Sequence, residues 1–289
     1  MNLLEGLEKF GLQAKSVGSL FEEEKKVVTK ESVAEAVEEI PTEDAFLLDK
    51  SVRCVVCDKV FKAKLVKSGR IRRLESDADL RPRFQYIDTI KYDVCSCPNC
   101  GYTSMVRYFD HLSSAQIKLI KEQICANFTP SGKQEPDTYD YDTAIGRYKL
   151  ALYTTMVKRG KASEKAYTCL KIAWLYRGKI EWLIREANNE DILQLTANIE
   201  FCKKEELKFY SRAYDGLIEA RATESFPICG MDTNTYELLI AAIAYNLDRL
   251  DEASNLVTGI LQSRTSNKGI KNRALDLKEM IMTRMKNIK

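Results

Sequence analysis

Alternating hydrophobic and polar positions predict short strands in the first third of the chain. From Val60 to Val66 apolar and lysine side chains alternate, which is the period of a half-buried strand. Ser68 and Gly69 favour a tight turn into a second strand over Arg70–Glu75. The alternation in Ile90–Val94 predicts a third strand. We therefore expect a small module of β-hairpins in this region.

Helical periodicity takes over after residue 101. Ser113 followed by Gln116 resembles a capping box at a helix start. The stretch Thr129–Asp137 contains two prolines and a glycine, and it is the expected linker between two domains. Gly178 is expected to end the second helix beyond that linker. The predicted helices lie near residues 140–159, 163–177, 191–222, 233–247, 251–263 and 268–287.

The segment Leu247–Ala253 carries the most distinctive helical pattern. It resembles the turn between the two helices of a tetratricopeptide repeat, with the small residues Ala241 and Ala244 in the preceding helix. Small side chains at these positions let two helices pack closely. The earlier pair, 140–159 with 163–177, has suitable lengths but matches the motif less well, and a generic helical hairpin explains it equally.

The first 50 residues have a different composition from the rest. Residues 1–50 contain twelve acidic and six basic side chains and no sustained core pattern, which predicts a largely flexible acidic arm. Apolar residues in 1–12 follow one helical face and predict a short amphipathic helix within this arm. The chain begins with acidic Glu5 and Glu8 and has no basic region before an apolar run, which is unlike a secretory signal.

Charge and histidine content narrow the possible functions. The 289 residues include 45 Lys and Arg against 42 Asp and Glu, so a net charge of +3 implies no polyanionic partner for the whole chain. The single histidine, His111, excludes a metal site built from several histidines. Asp110 precedes it, but no nucleophile motif and no phosphate-binding loop accompany the pair. We therefore do not expect an enzyme.

Two Cys-x-x-Cys pairs are the most specific feature of the sequence. Cys54 with Cys57 and Cys97 with Cys100 are separated by 39 residues, and two such turns complete a tetrahedron of sulfurs. Four thiolates suit Zn²⁺, while iron in the same geometry and two unrelated reduced pairs are the alternatives. Because four protein ligands leave no position for water, the predicted zinc site is structural.

The remaining cysteines lack such spacing. Cys95 lies two residues before Cys97, so on an extended strand both would point to the same side. The alternatives for Cys95 are a competing ligand and a redox thiol, and we interpret it as a small neighbour of the site. Cysteines 125, 169, 202 and 229 are interpreted as buried free thiols.

The segment 59–83 is locally basic. It holds nine Lys or Arg against three Asp or Glu, and Phe61, Phe84 and Tyr86 lie within it or just after it. Cations that meet phosphates and rings that stack on bases would bind nucleic acid. Alternatively, the cations offset the formal charge of −2 on zinc with four thiolates, or the acidic arm covers them.

Several segments together resemble one bacterial family. Residues 54–104, 147–177 and 226–253 are similar to the family called domain of unknown function 2225, and the similarity extends over roughly residues 52–285. The resemblance implies a zinc ribbon joined to tetratricopeptide-like helices, with the metal held by the four cysteines of the two pairs. It implies no activity, and the acidic arm lies outside it.

The predicted fold class is α+β, mostly α, with a zinc-ribbon module followed by antiparallel helical hairpins. We expect an arm over 1–50, a ribbon with one following helix over 51–128, and a helical domain over 137–289. The expected function is a scaffold that binds a protein partner, with nucleic-acid binding through 59–83 as the alternative. The longest apolar run, Leu238–Tyr245, has eight residues against about 20 for a membrane span, and the thiols indicate a reducing compartment. We therefore expect a cytoplasmic location.

Overall fold

The computed structural model describes residues 41–130, 135–187 and 192–288. From Pro41 onward the chain forms one compact unit, in which two β-hairpins precede a set of packed helices. The amphipathic segment predicted in residues 1–12, and most of the predicted arm, lie outside the described residues. The division of the rest into a ribbon and a helical domain stays a prediction.

Four strands make up the two hairpins. Strand β1 pairs antiparallel with β2, and β3 pairs antiparallel with β4, each pair forming its own two-stranded sheet. Short 3₁₀ turns cover Glu43–Phe46, Thr89–Tyr92 and Cys125–Asn127. This β module and the helices that follow confirm the predicted fold class. The strand bounds are Leu47–Arg53 for β1, Val60–Val66 for β2, Val94–Ser96 for β3 and Thr103–Met105 for β4.

The pairing of β2 differs from the prediction. Its partner is β1, which pairs along its whole length and begins inside the segment 1–50 that was assigned to the arm. The predicted strand over residues 70–75 is wrong, because that stretch makes only an isolated bridge from Arg73 to Phe84. Residues Thr89–Tyr92 turn as a 3₁₀ helix, so the predicted third strand is confined to β3.

Eight helices follow in the described residues, and six of them match the predicted helices beyond residue 137. Helix α2 begins with the predicted capping box, in which the Ser113 side chain and Gln116 exchange hydrogen bonds with each other's backbone N–H groups. The bounds are Val106–Phe109 for α1, Ser114–Gln123 for α2, Tyr141–Val157 for α3, Ala162–Arg185 for α4, Ile192–Thr223 for α5, Thr233–Asn246 for α6, Leu250–Gln262 for α7 and Lys268–Ile288 for α8.

Helix α4 is longer than predicted because Gly178 does not end it. A Cβ at Gly178 would lie 2.6 Å from Cε1 of Tyr141 and 2.8 Å from Nη2 of Arg81. The missing side chain makes room for those two residues against the helix. Gly178 therefore serves close packing in the interior of α4, and the helix continues to Arg185.

Antiparallel packing of consecutive helices builds the main core. Lys179 of α4 binds Asp142 near the start of α3 at 2.6 Å, and Ser163 of α4 binds Glu224 just past the end of α5 through its hydroxyl at 2.7 Å. Both pairings join the beginning of one helix to the end of its neighbour. Helix α6 is buried on all sides from Leu238 to Ala244, as expected for a helix in the middle of a core.

The turn between α6 and α7 shows the expected close packing. Ala241, Ala244 and Ala253 are fully buried, and Asp248 in the turn has a φ of 58°. The tetratricopeptide likeness of this hairpin stays a prediction. Across the residues that the structure describes, no helix is both long and apolar enough to cross a membrane.

Candidate metal centre

Each Cys-x-x-Cys pair lies at the tip of one hairpin. Residues 54–59 join β1 to β2, and residues 97–102 join β3 to β4. The last strand pairs before the tips are Arg53 with Val60 and Ser96 with Thr103, so both tips contain six residues. The pair Cys54 and Cys57 therefore lies in the turn of a hairpin. The sequence patterns did not predict β1, the first strand of that hairpin.

The two tips repeat the same backbone hydrogen bonds. In the first, the N–H of Cys54 donates to the carbonyl of Lys59 at 3.0 Å, and its own carbonyl accepts from the N–H of Asp58 at 2.8 Å. Cys97 makes the two equivalent bonds in the second tip at 2.8 and 3.0 Å. This repetition gives the two cysteine pairs the same local shape, with both sulfurs of each pair on one side of the turn.

The residue after each second cysteine adopts a left-handed conformation. The φ angles are 65° at Asp58 and 75° at Gly101. Asp58 lies at the surface, where Arg53 donates two hydrogen bonds of 2.6 Å to its carboxylate. Gly101 lies against the Phe128 ring, so a side chain fits at the first position and not at the second.

The four sulfurs form a compact group with the size of a metal site. The Sγ atoms of Cys54 and Cys100 are 3.7 Å apart, as are those of Cys57 and Cys97, and all four lie within 4.8 Å of one another. A regular tetrahedron with metal–sulfur bonds of about 2.3 Å has edges of about 3.8 Å. The donor set and its spacing therefore fit one tetrahedral thiophilic ion.

The four sulfurs are so close that ionisation of one thiol disfavours ionisation of the others. Hydrogen bonds from Cys100 and Cys54, and then from the backbone N–H of Asn99, hold the pKa of the Cys97 thiol well below its usual value. For Cys54 the bond to Cys100 lowers the pKa, but Cys97 and burial outweigh it and the pKa is raised. Without a cation, the group therefore favours a single thiolate beside three neutral thiols. A divalent cation would allow all four cysteines to ionise.

An aromatic cluster packs in the same buried core as the four cysteines. The rings of Tyr102 and Phe109 have centroids 4.7 Å apart, and the centroid of Phe61 lies 6.2 Å from that of Phe109. Ile120 and Ile124, from α2 and its end, complete this apolar core. Phe61 is only 8% exposed, so its predicted role in stacking on bases is wrong.

Comparison with protein families finds a match over most of the chain. Residues 47–281 match the family described as "uncharacterized protein conserved in bacteria (DUF2225)". The chain belongs to this family. The DUF2225 match includes both hairpins and extends to Ile281 in α8, and it confirms the resemblance seen in the sequence. Comparisons with curated proteins and with solved structures found no match.

In this DUF2225 chain, Cys95 lies close to the group of four cysteines but is not part of it. It is 4% exposed on β3, opposite Ser104, and burial raises the pKa of its thiol to about 12. Within the described residues, the group of four sulfurs does not include it. Cys169 and Cys202 are buried as expected, whereas Cys125 and Cys229 are partly exposed.

Several cations of the basic segment 59–83 form ion pairs with carboxylates of the protein. Lys64 lies 3.0 Å from Asp49, and Arg81, whose side chain is 2% exposed, binds the carboxylate of Glu181 at 3.1 Å. Arg83 donates two bonds of 2.5 and 2.7 Å to the same carboxylate. These three cations are therefore each paired with a carboxylate of the protein itself.

Sequence reasoning missed a buried charge network beside this segment. Asp79 is 1% exposed and accepts hydrogen bonds from Trp174 at 2.8 Å, from Arg177 at 2.9 Å and from the Tyr210 hydroxyl. Arg177 also binds Glu206 at 2.8 Å. This network attaches the loop after β2 to α4 and α5. The charged run in the sequence was visible, but nothing local showed that it is buried.

The His111 region lies where α1 ends and α2 begins. His111 is exposed, and its backbone N–H donates to the carbonyl of Tyr108 at 3.2 Å. Asp110 ends α1, while Ser113 caps α2, which matches the structural role expected for this stretch.

Proposed function

We propose that the four cysteines hold one Zn²⁺ ion in a structural site. The observation that carries this is the spacing of the sulfurs, 3.7 Å in both cross-tip pairs, which matches the edge of a zinc–thiolate tetrahedron. Cys54, Cys97 and Cys100 are each less than one-tenth exposed. Four protein ligands in a shielded site leave no position for substrate, so we assign the ion no catalytic role.

The ion would join two hairpins that are weak alone. Each sheet has only two strands, and such sheets are marginal in water without packing or a metal. The metal would tie the tip of β1 and β2 to the tip of β3 and β4. It would thereby hold the apolar cluster around Phe109 against α2 and fix the position of the following helices.

For the helical part we propose a scaffold role without enzymatic activity. Leu150, Tyr153 and Met156 recur every three residues along the outer side of α3, and they are 51%, 50% and 59% exposed. Large apolar side chains grouped on a surface are typical of protein interaction sites. This stripe supports the proposal that α3 contributes to binding a protein partner.

Affinity capture from the native cell extract tests the scaffold role. We expect the double variant Leu150→Ser, Tyr153→Ser to lose a partner that the wild-type chain captures, since a few anchors carry most interface energy. Leu275→Ser on α8, at a site 47% exposed, is the matched control and should capture the partner normally. Equal capture by all three chains would contradict a binding role for this face of α3.

A further inference from the structure

A cleft of about 490 Å³ lies between the loop after β2 and the helices α3 and α4. This volume is within the range of small-molecule sites in proteins. Its lining residues include none of the four cysteines, so the cleft is separate from the metal centre. Its lining includes Phe84 and Tyr86, two of the rings named in the nucleic-acid alternative from the sequence.

The charges that line the cleft balance one another. Five cations and five carboxylates contribute to it, and the carboxylates are held by partners within the protein. Lys91, for example, binds Glu43 at 2.6 Å, and Arg81 binds Asp88 at 3.2 Å. A balanced lining favours a neutral group over a polyphosphate or a bare cation.

Two polar atoms in the lining have no partner among the described residues. They are Nε of Arg81, a donor, and Oε1 of Glu43, an acceptor, and both atoms are buried. The Arg81 side chain is only 2% exposed. Because buried polar groups in proteins are almost always hydrogen-bonded, a ligand that offers both an acceptor and a donor would satisfy these atoms.

Two aromatic rings with large exposed surfaces flank the cleft. Tyr86, from the loop after β2, is 48% exposed, and Trp182, from α4, is 42% exposed. Because both rings are exposed and line the cleft, they offer stacking surfaces for a flat group. Nucleobases stack readily on such rings, and their edges carry both donors and acceptors.

Arginines beside the cleft are free to meet phosphate. Gln85 donates its N–H to the carbonyl of Arg72 at 3.0 Å, and Arg73 pairs with Phe84, a lining residue, in an antiparallel bridge. Opposite residues of such a bridge share a face. Arg72 and Arg73 are exposed, with no carboxylate within 4.0 Å among the described residues.

We propose that this cleft binds an unpaired nucleobase. The base stacks against both Tyr86 and Trp182 and places its edge toward Arg81 and Glu43, while an attached phosphate meets Arg73. A free nucleotide and a base in single-stranded RNA offer the same chemistry. The proposal stands independently of the zinc site and of the protein-binding face of α3.

Calorimetry and tryptophan fluorescence of the full chain test the proposal. The probes are adenosine, AMP, and short single strands of oligo(A) and oligo(U). We expect saturable binding that changes the emission of Trp182, because the other tryptophan, Trp174, is 2% exposed. Tighter binding of the oligonucleotides, with a steep salt dependence, would identify RNA as the source, and equal binding of AMP would identify a nucleotide.

Variants decide whether the cleft is the site. Tyr86→Ala and Trp182→Leu should each weaken binding by about 5- to 150-fold, the range for loss of one stacking partner. Tyr153→Ala, at a comparably exposed tyrosine on α3, should bind normally. Arg73→Gln should weaken AMP and RNA but not adenosine. Absence of saturable binding by every probe, or equal weakening by Tyr86→Ala and Tyr153→Ala, would overturn the proposal.

Discussion

Replacing Gly101 by alanine tests the account of the second hairpin tip. A Cβ at Gly101 would lie 2.5 Å from Cδ2 and 2.6 Å from Cγ of Phe128, far inside normal contact. The left-handed φ of 75° adds about 1–2 kcal/mol for a residue with a side chain. Forcing an extra carbon into a packed site adds about 1–3 kcal/mol. We therefore expect Gly101→Ala to lower the free energy of unfolding by about 2–5 kcal/mol.

The first tip supplies a matched control. Asp58 holds the equivalent left-handed position, with a φ of 65°, but it lies at the surface. Asp58→Gly removes the steric cost of a side chain there and gives up only an exposed ion pair with Arg53, so stability should change little.

Urea denaturation of the zinc-saturated proteins, followed by far-ultraviolet circular dichroism, measures both effects. The midpoint should fall for Gly101→Ala with an unchanged slope. If Gly101→Ala were as stable as the wild-type chain, the left-handed tip packed against Phe128 would not be the constraint described above.

Three further changes test other parts of the structure. Cys95→Ala should retain the metal in a colorimetric zinc assay, since its sulfur is outside the group of four, and loss of zinc would mean a different ligand set. Ala253→Leu should lower the free energy of unfolding in urea by about 1–3 kcal/mol, because Ala253 is fully buried in α7; unchanged stability would contradict close packing there. Burial raises the pKa of Glu181, but the hydrogen bonds and charges of Arg83 and Arg81 outweigh burial, so the pKa lies below its usual 4.5. The stability that ionised Glu181 contributes is therefore lost as the pH falls through the acid range. Glu181→Gln should therefore destabilise the protein at neutral pH and lose its effect in acid, unlike the exposed control Glu186→Gln; an equal loss at both pH values would contradict the ion pair.

The helices were predictable because their patterns are local. Periodicity alone placed α3 and α5 to α8 within one or two residues of their observed ends, and the capping residue Ser113 marked the start of α2. The end of α4 was missed because Gly178 commonly breaks helices. Here it accommodates Tyr141, a contact 37 residues away that no local pattern contains.

Strand pairing and buried charge depend on distant partners. Alternation identified β2 correctly, but it cannot specify a pairing partner, so β2 was joined to the wrong neighbour. Asp79 and Arg177 bind each other across 98 residues, and charged side chains give no local signal of burial. The grouping of the four cysteines was predictable because their spacing is itself a chemical constraint.

Zinc content of the purified full-length chain is the most direct test of the central claim. We predict about one zinc per chain by atomic emission spectrometry, with no comparable iron. The double variant Cys54→Ser, Cys97→Ser should lose it, because each remaining pair then has a single sulfur, while Cys169→Ser, at a buried thiol in α4, should keep it. Full zinc occupancy in the double variant, or a wild-type chain that binds no zinc, would contradict the metal centre.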